Sequence, residues 1–375
     1  MNKQHLQEII SHYIELFSET NNPVHREYYK WQIIYDFRPM MDVALASSDA
    51  DFPERLKTVK KLTANLIDNY TQPLSGLVEF SRKEPAAVRN MFTALFRASE
   101  MDTAHKQSAI HAFLDQSHQL REKYFPDSYL YNDDLHSVTG YLFLYDPDHN
   151  YIYKASHCRS FADCIEFYDD WGSGESAKLD IFFRMCDETL AAIKANDALM
   201  ATAASRYAYD PDHMHPDTEK HILLFDLIYC CSTYNLFKGI HYVVPKSSER
   251  QLIQAQKEKA AELRQALNEA HADVSRLNEV KTILSETITA GKTVRHKVYG
   301  MGTVISTDGD RLTVRFDDSK VRELGISISV VNGLITIDQM KLSDEQLSLL
   351  KDEKKIRTAE TYAEKALAPW LEYLE

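Results

Sequence analysis

Val294-Arg295-His296-Lys297-Val298-Tyr299-Gly300-Met301-Gly302-Thr303-Val304-Ile305, followed by Leu312-Thr313-Val314-Arg315-Phe316, is the stretch on which the fold turns. β-branched residues dominate it and its surroundings, which predicts strands. Five short strands are expected at 293–296, 302–307, 311–316, 320–324 and 334–337, with Asp308-Gly309-Asp310 as a tight turn. Six of the chain's 11 glycines lie between 291 and 333, and Gly300 and Gly302 let the backbone fold sharply between strands. Five strands in so short a segment bury a core by curling up, so an SH3/Tudor-like five-stranded barrel is expected over 291–340.

The pattern changes on both sides of this segment. Upstream, residues 246–288 contain Ile253, Ala260, Leu263, Leu267, Ala270, Val274, Leu277, Leu284 and Ile288 in an a/d heptad, with no Pro or Gly. A long coiled-coil-like helix over 246–290 follows, either self-associating as a homodimer through 253–288 or folded against a neighbour. Downstream, 343–375 returns to helix.

Residues 1–240 read as a mainly helical domain. Leu6, Ile9, Ile10, Tyr13, Ile14 and Phe17 recur at helical spacing, Pro23 closes that helix, and a second begins near Arg26. Pro53 and Pro85 suit helix starts, and a longer helix runs from about Asp102 to Tyr124. Val138, Tyr141, Phe143, Tyr145, Tyr151 and Tyr153 are aromatic or β-branched and flank Asp146-Pro147-Asp148-His149-Asn150. That predicts a small inserted β-hairpin near 137–155. Helices are expected again at 159–169, 176–204 and 216–237.

Composition bounds the function. Of the 375 residues, 44% are hydrophobic and 26% charged, a globular balance in a chain long enough for two or three domains. No run of about 18 uncharged apolar residues occurs and the N-terminus lacks a signal-peptide pattern, so cytoplasmic residence without membrane contact is expected. The five cysteines form no C-x-x-C and read as buried, reduced thiols. Net charge is −13, but residues 1–245 carry 35 acidic against 23 basic side chains, whereas 246–375 carry 21 against 20. Clustered cations for a phosphate backbone are therefore sought only in 292–337, where seven basic residues face five acids.

Two resemblances follow from these residues. The basic-His, aromatic-Gly-x-Gly-x-Val and V-x-F unit of 294–316 resembles the C-terminal Tudor-like domain of UvrD-type helicases. There the domain docks on RNA polymerase and nucleic acid. The resemblance implies a docking surface at Arg295, His296, Lys297, Tyr299, Arg315 and Phe316. Tyr299 and Phe316 are too few for an aromatic cage around a methylated lysine. The second runs through Glu27-Tyr28-Tyr29-Lys30-Trp31, Lys83-Glu84-Pro85 to Phe92, Tyr145-Asp146-Pro147-Asp148, Asp210-Pro211-Asp212 and His221 to Tyr229. It looks like the region preceding the ATPase in McrB-type restriction ATPases, which implies a specificity or interaction module. No G-x-x-x-x-G-K-S/T occurs, so NTP hydrolysis does not carry over.

Within the helical domain Tyr28 and Trp31 share a helix face and suit the core, leaving Tyr29 and Lys30, with Tyr151, Tyr153 and Lys154, as candidate recognition residues. Asp210, Asp212, His213 and His215, with Asp217, Glu219 and His221, are the best metal-like cluster. A polar helix start explains them better: Pro216 suits a first turn, and Asp217 and Glu219 favour the positive end of the dipole. Asp133-Asp134 and Asp169-Asp170 read as solvated turns, and Gly172-Ser173-Gly174 as a loop without the context of a nucleophile elbow. The expectation is a non-catalytic recognition protein of a restriction or nucleic-acid-processing system, with no metal and no cofactor. A protein partner would bind through the barrel and coiled coil, and nucleic acid is the other ligand class. The alternative is a metal-dependent nuclease or hydrolase built on 210–221.

Overall fold

The computed structural model describes every residue except 19–26, 64–65, 68–69, 338–339 and 375, so the expected break at Pro23 and helix start near Arg26 lie outside the described residues. The chain divides into two compact units, 1–251 and 252–375.

The first unit is helical. Its helices are α1 (Lys3–Leu16), α2 (Tyr29–Ala46), α3 (Phe52–Thr63), α4 (Pro73–Ser81), α5 (Pro85–Arg97) and α6 (Thr103–Tyr124). They continue with α7 (Leu135–Tyr145), α8 (Ala155–Cys164), α9 (Leu179–Lys194), α10 (Asp197–Tyr207) and α11 (His221–Thr233). No helix among the described residues is long and apolar enough to cross a membrane. The helix expected over 176–204 is two, because Asn196 caps a fresh start by accepting from Leu199 N (2.9 Å).

The hairpin expected near 137–155 is absent: residues 135–145 are α7. A capping box starts it, with Asp134 Oδ1 accepting from Ser137 N (2.8 Å) and Ser137 Oγ from Asp134 N (3.0 Å). Every residue of α7 from Ser137 to Leu144 is buried. A helix enclosed on all sides has no polar face, so its 3.6-residue period vanishes and its aromatic content mimics a strand. After Asp146-Pro147 the chain from Tyr151 to Lys154 runs without pairing to another strand.

Asp226, on α11, ties four helices of this unit together. It is fully buried. Its Oδ1 accepts from the Lys30 ammonium of α2 (2.5 Å), and its Oδ2 from the Tyr13 hydroxyl of α1 (2.6 Å) and the Arg206 guanidinium of α10 (3.0 Å). Burial works to raise the carboxyl's pKa, and the two cations outweigh it and hold the group ionised below its ordinary range. Glu27 completes the charge balance, 3.1 Å from the same ammonium. The five cysteines are all buried thiols, and burial pushes Cys158 up to about 12.

The second unit contains α12 (Ser247–Thr287) from Leu252 onward, the strands, and the terminal helices. The strands are β1 (Thr293–His296), β2 (Gly300–Asp308), β3 (Arg311–Phe316), β4 (Val321–Gly325) and β5 (Ile335–Ile337). All pairings are antiparallel, in the order β4-β3-β2-β1-β5. The strand positions follow the sequence closely, but among the described residues no β4–β5 pair closes the sheet. The residues between those edges form a short helix, α13 (Ile326–Val331), which packs on both. Val294, Val304, Leu312, Val314 and Phe316 face inward with Leu277, Val280 and Leu284 of α12 and Ile288 just beyond it.

Two further helices, α14 (Asp344–Lys351) and α15 (Glu353–Leu367), end the chain with a 3-10 stretch (Ala368–Tyr373). Polar contacts run antiparallel along α12 and the chain from α15 to its 3-10 end: Gln256 with Tyr373 (3.2 Å), His271 with Glu360 (3.8 Å), Arg357 with Asn278 (3.4 Å) and Lys281 with Glu353 (2.6 Å). The heptad helix is thus folded against a neighbour in its own chain. The stalk, sheet and terminal helices, read from the sequence as separate pieces, form one unit.

Lys30→Met leaves buried Asp226 and its half-buried neighbour Glu27 with one cation fewer. A loss of about 3–5 kcal/mol of folding stability is expected in urea unfolding, and a loss below about 1 kcal/mol would contradict the role given to this pair. Gly302 is a close approach: a Cβ there would stand 2.5 Å from Val314 Cγ1 and 2.8 Å from Phe316 Cδ1. Gly302→Ala should therefore cost roughly 1–3 kcal/mol, seen as faster amide exchange across β2 and β3.

Candidate functional site

The sheet register decides which sequence-predicted residues are available. Arg295 stands opposite Met301 on one side and Thr336 on the other, Thr303 pairs with Arg315, and Arg315 with Val321. Arg295, Met301, Thr303, Arg315 and Val321 are all exposed on the outer face, with Ile305 and, past the end of β1, Lys297. Among the described residues Arg295, Lys297 and Arg315 form no ion pair. The outer face therefore carries unneutralised cations between exposed apolar side chains.

His296 and Phe316, expected in the docking surface, instead belong to the inner face, 6% and 2% exposed. Period-two alternation requires this once Arg295 and Arg315 point outward. The His296 Nδ1 accepts from Val298 N (3.1 Å) and Tyr299 N (3.3 Å), which fixes the turn and leaves the proton of the neutral ring on Nε2. Burial, and then the charge of Arg322, lower its pKa. Tyr299 stacks on His296 (4.4 Å) and carries the Arg322 guanidinium 4.3 Å above its ring. Asp318 grips that guanidinium at 2.6 and 3.1 Å, and this hydrogen bonding takes the Asp318 carboxyl down to about 2. Arg322 was not among the sequence candidates; its position directly across from Val314, two residues from Phe316, is the signal that could have found it.

The candidates of the helical unit separate differently. Lys30 is fully enclosed. Tyr151 and Tyr153 are buried too: the Tyr151 hydroxyl donates to Asp187 Oδ1 (2.6 Å), and the Tyr153 hydroxyl accepts from Trp171 Nε1 (3.1 Å). All three are core residues and offer no recognition surface. Tyr29 and Lys154 are half-buried and remain reachable.

The residues of 210–221 do not converge on a metal. Asp210 is paired with exposed His213 (2.9 Å), and His215 Nδ1 accepts from Asp217 N (3.1 Å). Asp217 accepts from Ile222 N and Leu223 N (2.9 Å each) at the start of α11, while Glu219 pairs with Lys194 (2.7 Å) and His221 stacks on Tyr151 (4.3 Å). Asp212 joins no ligand group among the described residues. The segment is a helix cap. Two other aspartates depart from expectation: Asp133 is buried and accepts from Ser117, Ser137 (2.9 Å) and Tyr141 (2.9 Å), and Asp169 is buried against Arg184. Neither is a solvated turn residue.

Compared with known proteins, the chain matches no family model, and no curated protein or solved structure is found similar to it.

Burial raises Asp217 to about 6, even though two backbone amides work against the shift. A carboxyl whose folded pKa exceeds its unfolded value holds its proton more tightly in the folded state. Stability is then fully favoured below the unfolded pKa and declines as pH rises towards 6. Subtracting the pH–stability curve of Asp217→Asn from that of the parent chain should show a fall on the order of 3 kcal/mol between pH 4 and 6.5. A flat difference curve would remove this account of the cap.

Proposed function

We propose that the chain is a non-catalytic recognition protein, an accessory or specificity component of a restriction or nucleic-acid-processing system, which docks a nucleic-acid backbone on the outer face of its C-terminal sheet. The observation that carries this reading is the unpaired trio Arg295, Lys297 and Arg315 beside exposed Met301, Ile305 and Val321, in a chain whose net charge is −13. Cations free of carboxylate partners release counterions when they meet phosphates, and adjacent apolar side chains pack on sugars and bases.

The resemblance of 294–316 to the Tudor-like domain of UvrD-type helicases supports the same use, with α13 spanning the gap that a closed barrel would fill with strand pairing. The resemblance to the region preceding McrB-type ATPases adds the restriction context. No observation favours the hydrolase alternative, since Asp210, His213, His215, Asp217 and Glu219 are committed to capping and pairing.

Replacing Arg295, Lys297 and Arg315 together by Glu in the full chain tests the proposal. Retention of a DNA or RNA duplex is expected to fall, and the slope of log affinity against log salt to flatten by roughly 2–3, near 0.9 per lost phosphate contact. Undiminished retention by the variant, or none by the parent chain, sinks it. Capture of polyglutamate but not nucleic acid would hand the surface to an acidic protein.

A further inference from the structure

A cavity of about 190 Å³ lies in the helical unit, where α2, α10 and the segment 210–220 meet. Trp31 of α2, Met200, Ala203 and Tyr207 of α10, and Met214 form its apolar wall. Trp31 and Met214 are buried, while Ala204 and Pro216 stand exposed at the rim and leave the space open to solvent. The wall is fixed from several sides. His215 N donates to Trp31 O (3.1 Å), the Tyr207 hydroxyl donates to Pro211 O (3.3 Å), and Asp217 is held by the first amides of α11. Asp217 and Lys220 both border the cavity with φ of 49° and 67°. Residues with a side chain adopt such left-handed conformations only where the surroundings enforce them.

Three charged side chains border this space, and their charges are met unequally. Arg206 meets Asp226 (3.0 Å) and lies 4.7 Å over the Trp31 ring. Asp217 accepts from Ile222 N with one carboxylate oxygen and from Leu223 N with the other, at the positive end of α11. The Lys220 ammonium donates to the backbone oxygen of Asp217 (2.6 Å) and forms no ion pair among the described residues. An ammonium has three donors, and this one spends one of them on a carbonyl. The cavity therefore joins an apolar, aromatic wall to a half-buried cation that lacks a counter-charge.

We propose that this cavity binds a small aromatic carboxylate, its ring against Trp31, Met200 and Met214 and its carboxylate on the Lys220 ammonium. The size fits one ring: an apolar cavity of about 150 Å³ takes benzene, and a carboxylate occupies the remainder here. Indole and thioether are surfaces on which a flat ring packs well. A neutral ring would leave the ammonium without a counter-charge, and an organic cation would set a second positive charge beside it. An apolar enclosure with a few placed polar groups is how small-molecule sites are generally built. Neither a duplex nor a folded protein enters a space of this size, so the site takes a ligand separate from the nucleic-acid backbone proposed for the sheet.

Indole N–H NMR of the full chain, titrated in parallel with benzoate, toluene and benzylamine, tests it. The chain has 3 tryptophans, and Trp31 is assigned by the signal lost in Trp31→Phe. Benzoate should shift the Trp31 signal saturably and leave the other two in place, with toluene and benzylamine weaker by roughly tenfold or more. Lys220→Asn, which keeps a residue tolerant of the left-handed conformation, should cost benzoate a similar factor and leave toluene binding as it was. Ala203→Leu should fill the space and abolish the shift. The proposal is overturned if benzoate does not saturate at millimolar concentrations, or if toluene or benzylamine binds as tightly. Undiminished benzoate binding by folded Lys220→Asn or folded Ala203→Leu overturns it equally. The parent-chain titrations decide the matter even if neither variant folds.

Discussion

The helical unit depends on one carboxylate kept ionised away from water. Asp226 would be a heavy liability alone, since burial of a lone charge costs more than any single hydrogen bond returns. Lys30 and Arg206 remove the liability only if α2 and α10 hold their positions against α11, and Tyr13 only if α1 does. Packing of apolar faces alone would tolerate small slips between helices. A charge with three specified partners does not, so the network selects one arrangement among the many that similar hydrophobic contacts would allow. It also explains the run Tyr28 to Trp31: Lys30 and Trp31 are both drawn inward, and Arg206 lies 4.7 Å over the Trp31 ring.

The second unit solves a different problem. An open sheet of five short strands must cover one face and manage two edges. The last turns of α12, from Leu277 onward, cover the inner face, and α13 lies against both edge strands. The heptad of α12 serves two neighbours, the terminal helix along most of its length and the sheet along its last turns. What remains uncovered is the outer face, and there the sequence places Arg, Lys, Thr, Met and Val in place of a continuous apolar layer.

Most of that second unit was legible in the sequence, because one-sided burial writes a period of two into each strand and glycines mark where the backbone must approach closely or turn. The same alternation, applied one step further, separates Arg295 and Arg315 from His296 and Phe316. Residues 135–145 were illegible for the opposite reason. A helix buried all round has no face to reveal, and its Val, Tyr and Phe carry β-propensity. Lys30, Asp133 and Asp169 were illegible because a charged side chain is buried only when distant partners receive it, and Asp226, Ser117 and Arg184 are invisible from local sequence.

The distribution of sulfur has a consequence of its own. All five thiols lie enclosed between residues 158 and 231, and none in 252–375. A thiol reagent therefore has nothing to attack until the helical unit opens, and nothing at all to attack in the sheet unit. Labelling rates under native conditions would report opening of one half of the molecule in isolation, with the other half chemically silent. The two units thus come already distinguished by their chemistry, and their separate or joint unfolding is readable without adding a probe to either.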